Sequence, residues 1–128
     1  MVGRIHQRLL FCHNYRIDFY ILQIIAYIHA YRLPWRFYSY RTHTGIEVDW
    51  VLDIGTKIIG IECKVSKQAK ENDFKGLRHF EKITDKPLEK YLIYTGDTQQ
   101  KFNDNEWALP YQNFLLQRLP EIALKEKS

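Results

Sequence analysis

Between Arg36 and Val65 three short strand-like runs are separated by two turn signals, and this pattern constrains the fold more than any other feature of the chain. Arg36–Arg41 is rich in aromatic residues, as strands often are. Thr42-His43-Thr44-Gly45 supplies turn chemistry, Ile46–Leu52 alternates in character, and Asp53-Ile54-Gly55-Thr56 forms a second turn before Lys57–Val65. Connections this short cannot accommodate a crossover, so the three runs are predicted to pair as an antiparallel meander.

Helical periodicity flanks the meander. Ile17, Ile21, Ile24 and Ile28 recur at spacings of three and four, which predicts a helix over Arg16–Tyr31, ended before Pro34. Phe74, Leu77 and Phe80 mark a second amphipathic helix over Ala69–Ile83. Tyr91–Thr95 is then a short apolar strand, Asp97–Asn105 an exposed loop, Trp107–Leu109 a last short strand, and Tyr111–Leu119 a closing helix. The Lys57–Val65 strand, the second helix and the Tyr91–Thr95 strand make a crossover unit with its two strands parallel. The expected fold is α/β, a mixed sheet flanked by helices over residues 16–120. Residues 1–15 are unassigned, and 121–128 are expected to form a tail with Lys125–Ser128 frayed.

A chain of 128 residues is long enough to bury a core as one domain without disulfides or structural metal. Its two cysteines, Cys12 and Cys63, lack the spacing of a zinc or redox site, so a reduced, cytoplasmic setting is expected. The most apolar run, Phe19–Ala30, is interrupted by Gln23 and His29 and is too short to cross a bilayer. The net charge of +4 is compatible with a polyanionic partner. Aromatic content is high at 15%, but the rings are scattered among the segments, as expected of core and rim residues.

Strand alternation predicts Glu47, Asp49 and Val51 on one face, with Ile46, Val48 and Trp50 on the other. On the third strand Ile59, Ile61, Cys63 and Val65 form an apolar face, and Glu62 and Lys64 point away from it. The turn would bring both acidic groups together beside Lys64. Close carboxylates repel unless a cation, a proton or a basic group lies between them. A solvated cross-strand charge ladder would satisfy that requirement. So would Mg2+, which takes one or two carboxylates and keeps several waters.

The wider pattern adds to this. Phe37-Tyr38-Ser39-Tyr40-Arg41, Gly45–Val51, Ile59–Ser66, Asp73–Arg78 and Leu109–Leu115 occur in an order and spacing that resemble a particular domain of unknown function. That domain follows the ATPase core in a family of bacterial and archaeal AAA-type ATPases, and is similar to the PD-(D/E)XK nuclease superfamily. The resemblance covers roughly residues 27–119, and Glu47-Val48-Asp49 with Ile61-Glu62-Cys63-Lys64 is its most specific part. It implies a restriction-endonuclease-like fold, with Asp49 and Glu62 as ligands of Mg2+ (or Mn2+) and Lys64 as the catalytic lysine. Glu47 matches the family's acidic neighbour, and Lys75 falls where such folds often place a basic or amide residue.

The family's first helix usually carries acidic residues, one of which commonly completes the site; here that helix offers only Asp18. The sequence contains no G-x-x-x-x-G-K loop, so an ATPase of that kind is excluded. The resemblance therefore implies a metal-dependent nuclease-like domain acting on DNA, without a membrane and with an ATPase or a second copy as a further partner. The competing expectation is an inactive DNA-docking or oligomerisation module, or a truncated remnant of such an ATPase.

Overall fold

The isoleucine periodicity becomes helix α1 (Tyr15–Ala30) in the computed structural model, which describes the backbone of residues 15–127 and the side chains of residues 21–126. Ile21, Ile24 and Ile28 are buried along one face of α1, while the side chains of Ile17 and Asp18 lie outside the described residues. Arg32 closes α1 in the left-handed region at φ 51°. The N–H of Leu33 reaches the carbonyl of Ile28, and that of Arg32 the carbonyl of His29, which is a Schellman ending ahead of Pro34. Residues 1–14, with Cys12, lie outside the described residues.

The meander forms as expected, with β1 (Arg36–Arg41), β2 (Glu47–Asp53) and β3 (Ile58–Lys64) paired antiparallel. A 3-10 turn (Glu71–Phe74) and helix α2 (Lys75–Ile83) then carry the chain to β4 (Leu88–Tyr94), which runs parallel to β3. Residues Gln100–Asn103, expected as loop, form β5, an edge strand paired antiparallel with β6 (Glu106–Pro110). The polar composition that signalled a loop reflects an edge position, where alternate side chains face water. The result is a six-stranded mixed sheet in the order β1-β2-β3-β4-β6-β5.

Helices cover both faces of this sheet. Trp50, Leu52, Ile59, Ile61, Tyr91 and Ile93 pack toward α1 and the C-terminal helix. Val48, Val51, Ile58, Leu92 and Tyr94 pack against Phe74, Leu77 and Phe80 of the crossover. Each such buried side chain contributes on the order of 1.5–3 kcal/mol of transfer free energy. Among the described residues, no helix is long and apolar enough to cross a membrane.

Residues 121–128 were expected to form a separate tail. Instead the chain continues from α3 (Tyr111–Asn113) through a π-helical segment (Phe114–Arg118) into α4 (Leu119–Lys127). Pro120 explains the wide turn: it has no N–H for the carbonyl four residues back, and its ring crowds that position. The N–H of Leu119 bonds five residues back, to Phe114, and the helix passes the proline without breaking. Ile122 and Ala123 are buried on the far side of it, which anchors the segment to the α1-side core.

Candidate functional site: a carboxylate fork between β2 and β3

The site begins where the β2–β3 ladder stops. Main-chain pairing runs from Asp53 opposite Ile58 to Trp50 opposite Ile61, and goes no further. Beyond that point carboxylates join the two strands. The N–H of Asp49 donates to Glu62 Oε1 at 3.3 Å, and the N–H of Cys63 donates to Asp49 Oδ2 at 2.9 Å. Each acidic side chain thus accepts from the opposite strand's backbone, and each bond engages one oxygen of its carboxylate. Both residues are half-buried.

A bulge aims Asp49 into this fork. In the β1–β2 register Tyr38 faces Val51 and Tyr40 faces Val48, so Asp49 and Trp50 together oppose Ser39. Two residues against one is the signature of a β-bulge, which bends a strand and redirects a side chain. The bulge corrects the expected alternation on β2. Val48 packs with Val51 on the α2 side, whereas Trp50 packs on the α1 side, so neither predicted face of this strand is continuous. On β3 the alternation holds for Ile59, Ile61 and Cys63, the last partly buried against the α1-side core, whereas Val65 lies past the strand's end and is exposed.

Lys64 stands two residues beyond Glu62 and points toward the crossover. Its Nζ donates to both carboxylate oxygens of Asp73, each at 2.8 Å. Asp73 also accepts from the N–H of Lys70, which fixes the entry into the 3-10 turn. Asp73 went unassigned in the sequence, although an acid three residues after the start of a helical turn is a capping signal.

Glu47 pairs with Arg41 across the β1–β2 ladder at 2.8 Å, at an exposed position. Lys75 is exposed at the start of α2 and makes no ion pair among the described residues. Its neighbour Gly76 lets α2 approach the fork. A Cβ there would lie 2.6 Å from the carbonyl oxygen of Glu47 and 3.6 Å from Glu62 Oε1. Lys75 itself lines an adjoining cleft of about 510 Å³ with Ile46, Glu71, Asn72, Arg78, His79 and Lys82.

Behind that cleft lies a buried ionic network that no sequence pattern indicated. Glu106 is 1% exposed and Lys90 2%. Arg78 grips Glu106 through Nε and Nη2, both at 2.7 Å, and also donates to Glu71 at 2.5 Å. Asn103 donates to Glu106 at 2.8 Å, and Lys90 lies 3.3 Å from it. The Arg78 guanidinium holds the Glu106 carboxyl down to about 2, against the upward push of burial.

A family model described as a domain of unknown function (DUF4143) matches residues 18–114. The chain belongs to the DUF4143 family. The DUF4143 match runs from α1 to the start of the π-helical segment, so it takes in the fork, the crossover and the whole sheet. The buried residues Leu119, Ile122 and Ala123 lie beyond it, and the folded unit is longer than the matched segment. No curated protein and no solved structure matches the chain.

Among the described residues no group of three or more His, Cys, Asp or Glu side chains is arranged to hold a metal ion. Two carboxylates at a strand fork suit Mg2+ or Mn2+, hard cations that bind through one or two carboxylates and complete their shell with water and phosphate oxygens.

Proposed function

We propose that this DUF4143 domain is a PD-(D/E)XK-like, divalent-metal-dependent nuclease acting on DNA, related to the C-terminal domain of AAA-type ATPases. The observation that carries this reading lies at the end of the β2–β3 ladder, where the Glu62 carboxylate accepts from the N–H of Asp49 and the Asp49 carboxylate from the N–H of Cys63, with Lys64 two residues past Glu62 on β3. Asp49 and Glu62 would hold Mg2+ or Mn2+, which lowers the pKa of a bound water and offsets charge developing on a phosphate. The backbone N–H groups of Asp49 and Cys63 orient the two carboxylates. The ammonium of Lys64, two residues past Glu62 on β3, would counter negative charge on the scissile phosphate. Asp73 positions that ammonium through its two hydrogen bonds. The net reaction adds water across one P–O bond, leaving a phosphate monoester end and a hydroxyl end.

A non-catalytic docking or oligomerisation module is a second reading, favoured by one feature. The Lys64 ammonium already gives two hydrogen bonds to Asp73, so part of its charge is neutralised within the protein. Calorimetric titration with Mn2+ and cleavage of a labelled duplex separate the two readings. For the nuclease, Asp49→Asn and Glu62→Gln both abolish metal binding and cleavage while the fold persists. Metal binding and cleavage that survive both substitutions would sink the assignment of the fork.

A further inference from the structure

We propose that the cleft beside α2 binds the sugar-phosphate backbone of duplex DNA and leads one of its phosphates to the Asp49–Glu62 fork. The delivery step rests on the nuclease reading; the binding step does not.

The basic residues follow the helix. Lys75, His79 and Lys82 are all exposed and succeed one another at spacings of four and three, so they form one stripe along α2. Seven helical residues span about 10 Å. DNA carries a phosphate every 3.4 Å or so along each strand, and the stripe therefore faces a run of charges rather than a single anion. Neither lysine has an ion-pair partner among the described residues, although most other described lysines on the crossover and sheet do.

The floor of the cleft is built rather than incidental. Arg78 is held by the buried Glu106 and by Glu71 through Nε and Nη2, and among the described residues its Nη1 donates to no acceptor. A guanidinium fixed on one edge presents its remaining donors at a set position, which suits phosphate oxygens. Because Glu71 and Glu106 offset the charge of Arg78, Lys75 and Lys82 supply the electrostatic attraction. Arg78 supplies geometry.

The cleft also adjoins the fork along the chain and in space. Ile46 lines it and precedes Glu47; Lys75 lines it and precedes Gly76. Gly76 approaches the Glu47 carbonyl and the Glu62 carboxylate so closely that even a Cβ would collide with the former. A backbone lying along Lys82, His79 and Lys75 is thereby directed toward the carboxylates. Among the described residues no Phe, Tyr or Trp lines the cleft and His79 supplies its one ring, so recognition there is of backbone through basic groups rather than of a run of stacked bases.

Fluorescence anisotropy of a labelled 20-base-pair duplex, with EDTA present so that nothing is cleaved, tests the proposal. Lys75→Ala/Lys82→Ala is expected to weaken binding by about 10-fold or more at low salt and to reduce the slope of log K against log salt by about 2. Lys101→Ala/Lys125→Ala removes the same charge elsewhere and is expected to change affinity less than about 3-fold. Both pairs exchange lysine for the better helix former or an edge-strand alanine, and circular dichroism checks that the fold is kept. Equal losses from the two pairs, or no binding by the wild type, would overturn the cleft. If the lysine pair loses binding but the wild type never cleaves, the cleft stands and the nuclease reading falls. If the lysine pair binds normally while Asp49→Asn loses cleavage with Mn2+, the fork stands and the cleft falls.

Discussion

Lys64 Nζ lies 2.8 Å from each carboxylate oxygen of Asp73, so the last residue of β3 is bonded to the turn that opens the crossover. The two residues are nine apart in sequence, and the contact closes the loop between the sheet and α2. It also ties the position of the Lys64 ammonium to the turn on the α2 side of the domain.

Replacing Asp73 with alanine tests this coupling. The pair is largely shielded, with side chains 29% and 17% exposed, so loss of one partner is expected to cost about 1–3 kcal/mol. The substitution also removes the acceptor for the N–H of Lys70. Urea denaturation of Asp73→Ala, Lys64→Ala and the double variant would measure the interaction. An additive double variant would show that the contact carries no coupling energy.

At Gly76 local propensity and tertiary packing pull in opposite directions. Alanine is the better helix former by about 1 kcal/mol. Its Cβ would nonetheless lie 2.6 Å from the Glu47 carbonyl oxygen, a backbone atom that cannot swing aside. Gly76→Ala is therefore expected to destabilise the protein by about 1–3 kcal/mol and to push α2 off the fork. A rise in melting temperature would show that the backbone accommodates the methyl group and that the close approach is not required.

Glu106 gives the domain an acid limit. Its folded-state pKa is held at about 2, below its ordinary value of 4.5. A depressed carboxyl stabilises the folded state fully above its ordinary value, and that contribution is lost as pH falls from about 4.5 toward 2. Asp53 and Glu89, lowered by Lys86 and Lys57 respectively against opposing burial, act in the same direction. Glu106→Gln leaves Lys90 and Arg78 without their shared counter-charge and is expected to cost about 3–5 kcal/mol at neutral pH. Its stability should also decline less steeply than the wild type's between pH 4.5 and 2. Parallel acid profiles for the two proteins would exclude Glu106 as the titrating group.

The readable parts of this sequence were those governed by local rules. Turn chemistry at Thr42–Gly45 and Asp53–Thr56, the period of Ile21, Ile24 and Ile28, and the spacing of Phe74, Leu77 and Phe80 each fixed an element near its observed place. The short turn between β2 and β3 likewise placed Asp49 and Glu62 on neighbouring strands, where each carboxylate accepts from the opposite backbone. The features that escaped depend on tertiary context. The bulge opposite Ser39 breaks the period of β2, and nothing in Glu47–Asp53 announces where the extra residue falls. Arg78, Lys90 and Glu106 carry no local signal of their network, because their partners lie up to 28 residues away in sequence. β5 was hidden by its polarity, which an edge strand permits.

The closing helix, expected to end at Leu119, instead continues past Pro120 by way of a π turn. The segment beyond it is part of the core, and two positions only two residues apart in sequence show how sharply its faces differ. Ile122 is 4% exposed and packs in the α1-side cluster, whereas Leu124 is 70% exposed. Removing the buried side chain deletes apolar surface and leaves a cavity, so Ile122→Ala is expected to cost about 2–4 kcal/mol. Leu124→Ala removes little buried area and keeps a good helix former, and is expected to stay within about 0.5 kcal/mol of the wild type. Urea midpoints of the two variants decide between a packed helix and a loosely attached tail. Equal, small effects would mean that the segment after Pro120 contributes nothing to the core. A large loss confined to Ile122→Ala would extend the folded unit of this DUF4143 domain past the matched residues 18–114.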